Sequence, residues 1–190
     1  MRGLVNFGQA GRQAVKVSKW GKRLVALGCV ASVLAIVGGS GVVAQNYDNR
    51  GPVTHLPLPR YVSMKSGEAN VRRGPSLTHR IDWVFTRRGM PLQITAEHGH
   101  WRKVQDRDGA GGWVHYALLS GVRTVLVEKD MMVIYARPDV QTPVVAAFEL
   151  GVVARLGACS DTWCRVSAGG YRGWMPKSQL WGVSPDELRD

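Results

Sequence analysis

Histidine is absent after His115, and of the three cysteines only Cys159 and Cys164 lie beyond position 29. The second half of the chain therefore lacks the ligands that a zinc site would add to a cysteine pair. From residue 66 onward no window of a dozen residues keeps apolar side chains at helical spacing, which excludes a helical bundle. No nucleophile stands in a strand-turn-helix elbow and no glycine run forms a phosphate cradle, so no catalytic constellation is recognisable. We expect no enzyme activity, no cofactor and no metal.

Acidic residues are missing from the first 44 positions, which hold Arg2, Arg12, Lys16, Lys19, Lys22 and Arg23. Of the formal charge of +11, that leaves 19 bases against 14 acids in the remainder. Such a balance describes a mildly basic surface and argues against a nucleic-acid partner.

The first segment reads as an address. A basic region ends at Arg23, the apolar run Leu24 to Val37 follows, and Val42 and Ala44 place small residues at the minus-three and minus-one positions of a cleavage point before Gln45. Residues 1–44 are read as a secretory signal that directs the chain to the periplasm or the exterior. The alternative is an uncleaved anchor, because Leu24 to Ala44 is long enough to cross a bilayer core of about 30 Å. That segment is then the only membrane contact expected. Leu27-Gly28-Cys29 has too few apolar residues before its cysteine for a lipoprotein signal. The mature chain keeps Cys159 and Cys164, and an even pair in an exported protein reads as a disulfide.

What the chain does contain is a duplication. Gly89, Trp101 and Val104 are matched 62 residues later by Gly151, Trp163 and Val166, and Gly112, Trp113, Leu119 and Gly121 are matched 61 later by Gly173, Trp174, Leu180 and Gly182. Upstream, Val71-Arg72-Arg73-Gly74-Pro75 faces Ile134-Tyr135-Ala136-Arg137-Pro138 at an offset of 63. A period near 60 is too long for the common solenoid units and long enough to close a small core. Around these positions the apolar pattern is short and strand-like, broken by glycine, proline, aspartate and His-Gly steps.

We therefore expect an all-β protein: residues 1–44 as signal, 45–65 as a flexible, proline-spaced linker, 66–121 and 122–182 as two small barrels of about five strands, and 183–190 as a tail. Polar segments before Leu119 and Leu180 suit single three-ten turns. Ser184-Pro185-Asp186-Glu187 has the pattern of a helix start, too near the end to persist.

Laid out in order, Ala69-Asn70-Val71-Arg72-Arg73-Gly74-Pro75, Gly89, Trp101-Arg102-Lys103-Val104 and Gly112-Trp113-Val114 resemble the motifs of bacterial Src-homology-3-type domains of the exported, cell-envelope kind. In the second copy Tyr135-Ala136-Arg137-Pro138, Gly151, Trp163-Cys164-Arg165-Val166 and Gly173-Trp174-Met175 fill the same places. The resemblance spans about residues 66–182. It implies a tandem pair of barrels of five or six strands and a binding role, towards cell-wall material such as peptidoglycan or towards an envelope protein. Alternative readings are an accessory or regulatory subunit of a cell-wall hydrolase, and a structural envelope protein that oligomerises through its barrels.

Strand alternation sorts the candidate site residues. If Val104 and Val166 face their cores, Trp101 and Lys103 share the opposite face of one strand, and Trp163 and Arg165 that of the other. Aromatic rings beside cations can stack on sugar or peptide, and these four residues are the first candidates for ligand binding. The other reading of Trp101 and Trp163 is that each ring covers an open edge of its own barrel. Arg72 and Arg73, with Arg80, Arg87 and Arg88, are candidates for a basic patch. Trp113 and Trp174, which follow glycine at a strand start, are read as structural, and His98 and His100 as solvated turn residues.

Overall fold

The computed structural model describes residues 49–190. The expected signal over 1–44 and its cleavage point before Gln45 lie outside the described residues. Among the described residues there are strands and two three-ten turns, and no α-helix.

The first repeat is built from β1 (Arg60–Met64), β2 (Ala69–Arg72), β3 (Ile81–Phe85), β4 (Pro91–His98), β5 (Trp101–Gln105), β6 (Gly111–His115) and β7 (Leu119–Ser120). The second is built from β8 (Thr124–Val127), β9 (Met132–Tyr135), β10 (Val144–Phe148), β11 (Val153–Cys159), β12 (Trp163–Ala168), β13 (Tyr171–Pro176) and β14 (Leu180–Trp181). Both sheets have one topology, β3-β2-β6-β5-β4-β1-β7 and β10-β9-β13-β12-β11-β8-β14. All their neighbouring strands are antiparallel. The three-ten turns Tyr116–Leu118 and Lys177–Gln179 occupy equivalent places before β7 and β14. Residues 60–181 thus form two tandem Src-homology-3-like β domains.

Each sheet encloses its own core. Val71, Phe85, Leu92, Ile94, Val104 and Val114 form the first, and Ile134, Phe148, Ala154, Leu156, Val166 and Met175 stand at the equivalent places in the second. Buried residues alternate along β5 (Arg102, Val104) and β12 (Cys164, Val166) because only one face of each strand is buried.

Close strand approach explains the glycine of the Gly-Trp step. A Cβ on Gly112 would lie 2.7 Å from the carbonyl oxygen of Arg72, and one on Gly173 would lie 2.8 Å from that of Tyr135. Glycine is the residue that lets β6 pass β2 and β13 pass β9.

Both ends of the described chain depart from expectation. The flexible linker expected over 45–65 is corrected, because its last residues are β1, paired with both β4 and β7. Before it, Asn49 to Leu58 folds back on itself, with Leu58 N–H donating to Asn49 and Gly51 N–H to Leu56. Prolines at 52, 57 and 59 bound that turn instead of extending it. The anchor is Glu97 at the end of β4, whose buried carboxylate accepts from the Val53 and Thr54 N–H groups and the Thr54 hydroxyl.

At the other end, Ser184 to Glu187 makes a single turn closed reciprocally by Glu187 N–H to Ser184 O and by Ser184 N–H to the Glu187 carboxylate. The tail is tied to the second repeat. Glu187 forms a bidentate pair with Arg123 at 2.7 and 3.0 Å, Lys177 donates to the carbonyls of Pro185 and Glu187, and Arg189 pairs with Cys159.

The repeats touch through polar and aromatic contacts. Thr124 at the start of β8 donates to Gly89 O at 2.7 Å, Ser63 donates to Val122 O, and Arg87 reaches Gly151 O at 2.8 Å. Tyr61 meets Trp181 edge to face, and the Arg123 guanidinium lies over the Tyr61 ring. Burial raises the Tyr61 phenol above its ordinary range, and the Arg123 cation works in the opposite direction.

Candidate binding surface

Register across β2, β6 and β5 sets one row of side chains on the outer face of the first repeat. Lys103 is the partner of Trp113, and Trp113 is the partner of Arg72. The equivalent row in the second repeat is Arg165, Trp174 and Tyr135. One step along, Trp101 faces His115 and Trp163 faces Pro176. Paired residues share a face, so Trp101, Lys103 and Trp113 lie together, as do Trp163, Arg165 and Trp174.

The rings are held against one another without being buried. Trp101 meets His115 edge-on at 5.5 Å, His115 packs against Tyr116 at 4.9 Å, and His100 lies 5.5 Å from Tyr116. In the second repeat Trp163 meets Tyr135 edge-on at 5.7 Å. Trp101, Trp113, Trp163 and Trp174 are half-buried, while Lys103 and Arg165 are exposed. Such rings offer an apolar plane to a ligand while their contacts fix its orientation.

Trp113 and Trp174, expected from sequence to be structural, lie on the outer faces. In the Gly-Trp step the glycine points inward, where strand approach leaves no room for a side chain, and the tryptophan is turned outward. The residue that follows, Val114 or Met175, is the core residue. The signal was available in the alternation, since Val114 inward requires Trp113 outward.

Arg72 and Arg73 are occupied within the chain. Arg72 donates to the carbonyls of Leu77 and His79, bracing the loop between β2 and β3, and Arg73 shares the Asp82 carboxylate with Arg80. These hydrogen bonds from Arg73 first and Arg80 second hold the Asp82 carboxyl below the usual carboxylate range. Arg87 turns away to Gly151 in the second repeat, so Arg72, Arg73, Arg80, Arg87 and Arg88 do not gather into one patch.

Cys159 and Cys164 are bonded, as an even pair in an exported chain suggests. Both backbone groups of Cys159 are engaged by Arg189, on the side away from β12. That makes Cys159 and Cys164 a non-hydrogen-bonded pair, with α-carbons 4.1 Å apart and β-carbons near enough to carry the bridge. A disulfide suits an oxidising compartment. Among the described residues no helix is long and apolar enough to cross a membrane, and no three metal-ligating side chains converge.

The bacterial SH3 domain matches this chain twice, over residues 65–121 and 128–182. The chain belongs to the bacterial SH3 domain family. The two matches fall one to a repeat, and each includes the tryptophan rows described above. No curated protein matches the chain. Among solved structures it is similar to NlpC2 from Trichomonas vaginalis at 12% identity, over 65% of this chain and 48% of that one, with a TM-score of 0.31. It is similar to NlpC1 from the same organism at 13% identity, over 64% of this chain and 45% of that one, again at 0.31. The chain thus spans less than half of either protein's length. Within the bacterial SH3 domains of this chain, sequence reasoning missed His115, Tyr116 and Tyr135, which complete the aromatic faces.

Proposed function

We propose that the protein is an exported, non-enzymatic binding module whose two bacterial SH3 domains hold cell-wall peptidoglycan on their outer tryptophan faces. The observation that carries this reading is the repeated cross-strand row, Lys103-Trp113 and Arg165-Trp174, with Trp101 and Trp163 beside it. A glycan strand with peptide stems presents sugar faces and carboxylates together. Half-buried tryptophans supply planes for the first, and the neighbouring cations pair with the second. Of the candidate side chains, Trp101, Lys103, Trp163 and Arg165 are assigned to contact, whereas Arg72 and Arg73 act by bracing the loop behind them.

The disulfide and the family both accord with an exported protein working in the cell envelope. The experiment that tests the function is retention of the chain from residue 45 onward on insoluble peptidoglycan, measured against the same chain carrying Trp101→Ala and Trp163→Ala. Equal retention of the two would overturn the assignment of these faces. An envelope protein as ligand would show instead as no retention on peptidoglycan at all.

A further inference from the structure

The two outer faces are built on one plan but carry different chemistry. In the first repeat, Gln93, Gln105 and Gly111 are successive register partners across β4, β5 and β6, with the Gln105 amide donating to Gln93. The equivalent row in the second repeat is Arg155, Ser167 and Arg172 across β11, β12 and β13. Two residues along β12 from Ser167 stands Arg165, where the first repeat has Lys103. Three arginines therefore crowd one face of one sheet.

Strand geometry sets their spacing. The α-carbons of Arg155 and Arg172 are two strand spacings apart, about 10 Å, and Arg165 is about 7 Å along the middle strand from the line joining them. Between them lies a recess of about 250 Å³ that includes Ser167 and Gly157. Gly157 opens it. The equivalent residue in the first repeat is Thr95, whose hydroxyl lies over the Lys103 carbonyl, whereas at Gly157 a Cβ would come within 3.3 Å of the Arg165 carbonyl.

All three arginines are exposed, and among the described residues none of their side chains has a hydrogen-bond or ion-pair partner. Asp190 is the one acid that lines the recess. Like charges on neighbouring strands oppose folding, and among the described residues no side-chain bond offsets them. Arg72 and Arg73 show the contrast, since both are engaged by the fold itself.

We propose that this face of the second repeat is a site for a linear polyanion, a polymer that repeats phosphate or carboxylate groups at a spacing of several ångströms. The planar guanidinium pairs with either group through two parallel hydrogen bonds, and three such forks set about 7 to 10 Å apart fit a chain better than a single ion. The modest excess of 19 bases over 14 acids conceals the site, because it averages over two faces that differ. The proposal rests on the reading of the outer faces as binding surfaces, and it assigns the polyanion to the second one alone.

The test is a titration of the chain from residue 45 to residue 190, with inorganic polyphosphate in one arm and poly-L-glutamate in the other, at low and at physiological salt. Binding should weaken steeply with salt, as it does when condensed counterions are released. The triple variant R155Q/R165Q/R172Q should bind at least about tenfold more weakly, while a triple variant that removes the same charge elsewhere, K65Q/R88Q/K129Q, should stay within about twofold. Preference for one arm identifies phosphate or carboxylate as the natural group.

Arg155→Gln alone places there the residue that the first repeat tolerates at Gln93, so it reports on binding in a chain that folds. It should lose about threefold or more. Equal affinities for the two triple variants, or no binding in either arm, would overturn the proposal. Failure here with peptidoglycan retention still dependent on Trp101 and Trp163 would remove the polyanion site and leave the tryptophan faces standing.

Discussion

Glu97 and Arg102 face each other across the β4–β5 hairpin at the positions that Cys159 and Cys164 occupy in the second repeat. The first hairpin is closed by a buried ion pair, Arg102 Nε to Glu97 Oε1 at 3.5 Å, and the second by a covalent bond. Each closure also receives a segment from outside its own sheet. The Glu97 carboxylate gathers Val53 and Thr54, while the Cys159 backbone pairs with Arg189. One hairpin site has been put to the same use by two chemistries.

Glu97 should make the first repeat acid-sensitive. Burial alone would raise its carboxyl, but hydrogen bonds from the Thr54 hydroxyl and N–H, from Arg60 and from the Val53 N–H bring it down from 4.5 to about 2. The unfolded chain therefore takes up this proton first as pH falls. The stabilisation is complete above about 4.5, shrinks between 4.5 and 2, and is gone below. Glu97→Gln should reduce stability at pH 7 by about 3 kcal/mol, with the gap to the parent closing as pH drops towards 2. Urea midpoints measured across that range check it, and a pH-independent gap would remove Glu97 as the cause.

The disulfide should contribute modestly. Cys159 and Cys164 are five residues apart, and closing so short a loop removes little freedom from the unfolded chain. Reduction is expected to lower stability by about 2 kcal/mol and to leave the second sheet folded. Denaturant unfolding with and without a thiol reductant measures the difference. Labelling of both thiols by an alkylating reagent before any reduction would show that the bond is absent from the natural protein.

The Gly-Trp steps predict a paired effect on stability. Gly112→Ala places a methyl 2.7 Å from the Arg72 carbonyl and 2.9 Å from Val71 Cγ1, and Gly173→Ala places one 2.8 Å from the Tyr135 carbonyl. Backbone atoms cannot swing aside, so each variant should lose about 1 to 3 kcal/mol. Gly67→Ala, with nothing within 4 Å, should change stability by less than about 0.5 kcal/mol. Thermal unfolding of the three variants separates a packing requirement from a general cost of losing glycine.

The duplication was readable because Trp101, Val104, Gly112 and Trp113 recur at nearly constant offsets, and a strand with one buried face announces that face through Val104 or Val166. β1 was not readable. Arg60-Tyr61-Val62-Ser63-Met64 follows two prolines, and its counterpart Thr124-Val125-Leu126-Val127 shares little with it, so the repeat fades where the first domain begins. Glu97 and Arg102 were equally hidden, because a carboxylate and a guanidinium in a hairpin look solvated until register sets them opposite each other. The same holds for Arg155 and Arg172, which stand 17 residues apart in sequence and become neighbours only across Ser167.

Binding should separate from folding at the tryptophans. Trp101, Trp113, Trp163 and Trp174 are all half-buried on outer faces, so none fills a core as Val104, Val114, Val166 and Met175 do. Replacing any one by alanine should cost less stability than the roughly 3 to 5 kcal/mol typical of a buried tryptophan. Trp113 lies mid-sheet between Lys103 and Arg72, and Trp174 between Arg165 and Tyr135, whereas Trp101 and Trp163 stand at the first position of their strands and meet one ring each edge-on. Trp113→Ala and Trp174→Ala should therefore lower the melting temperature more than Trp101→Ala and Trp163→Ala. On peptidoglycan all four should lose retention per folded molecule, and Trp101→Ala with Trp163→Ala should lose it with the melting temperature nearly unchanged. Retention that follows only the folded fraction in every variant would show that the rings brace the sheets and that the ligand is held elsewhere.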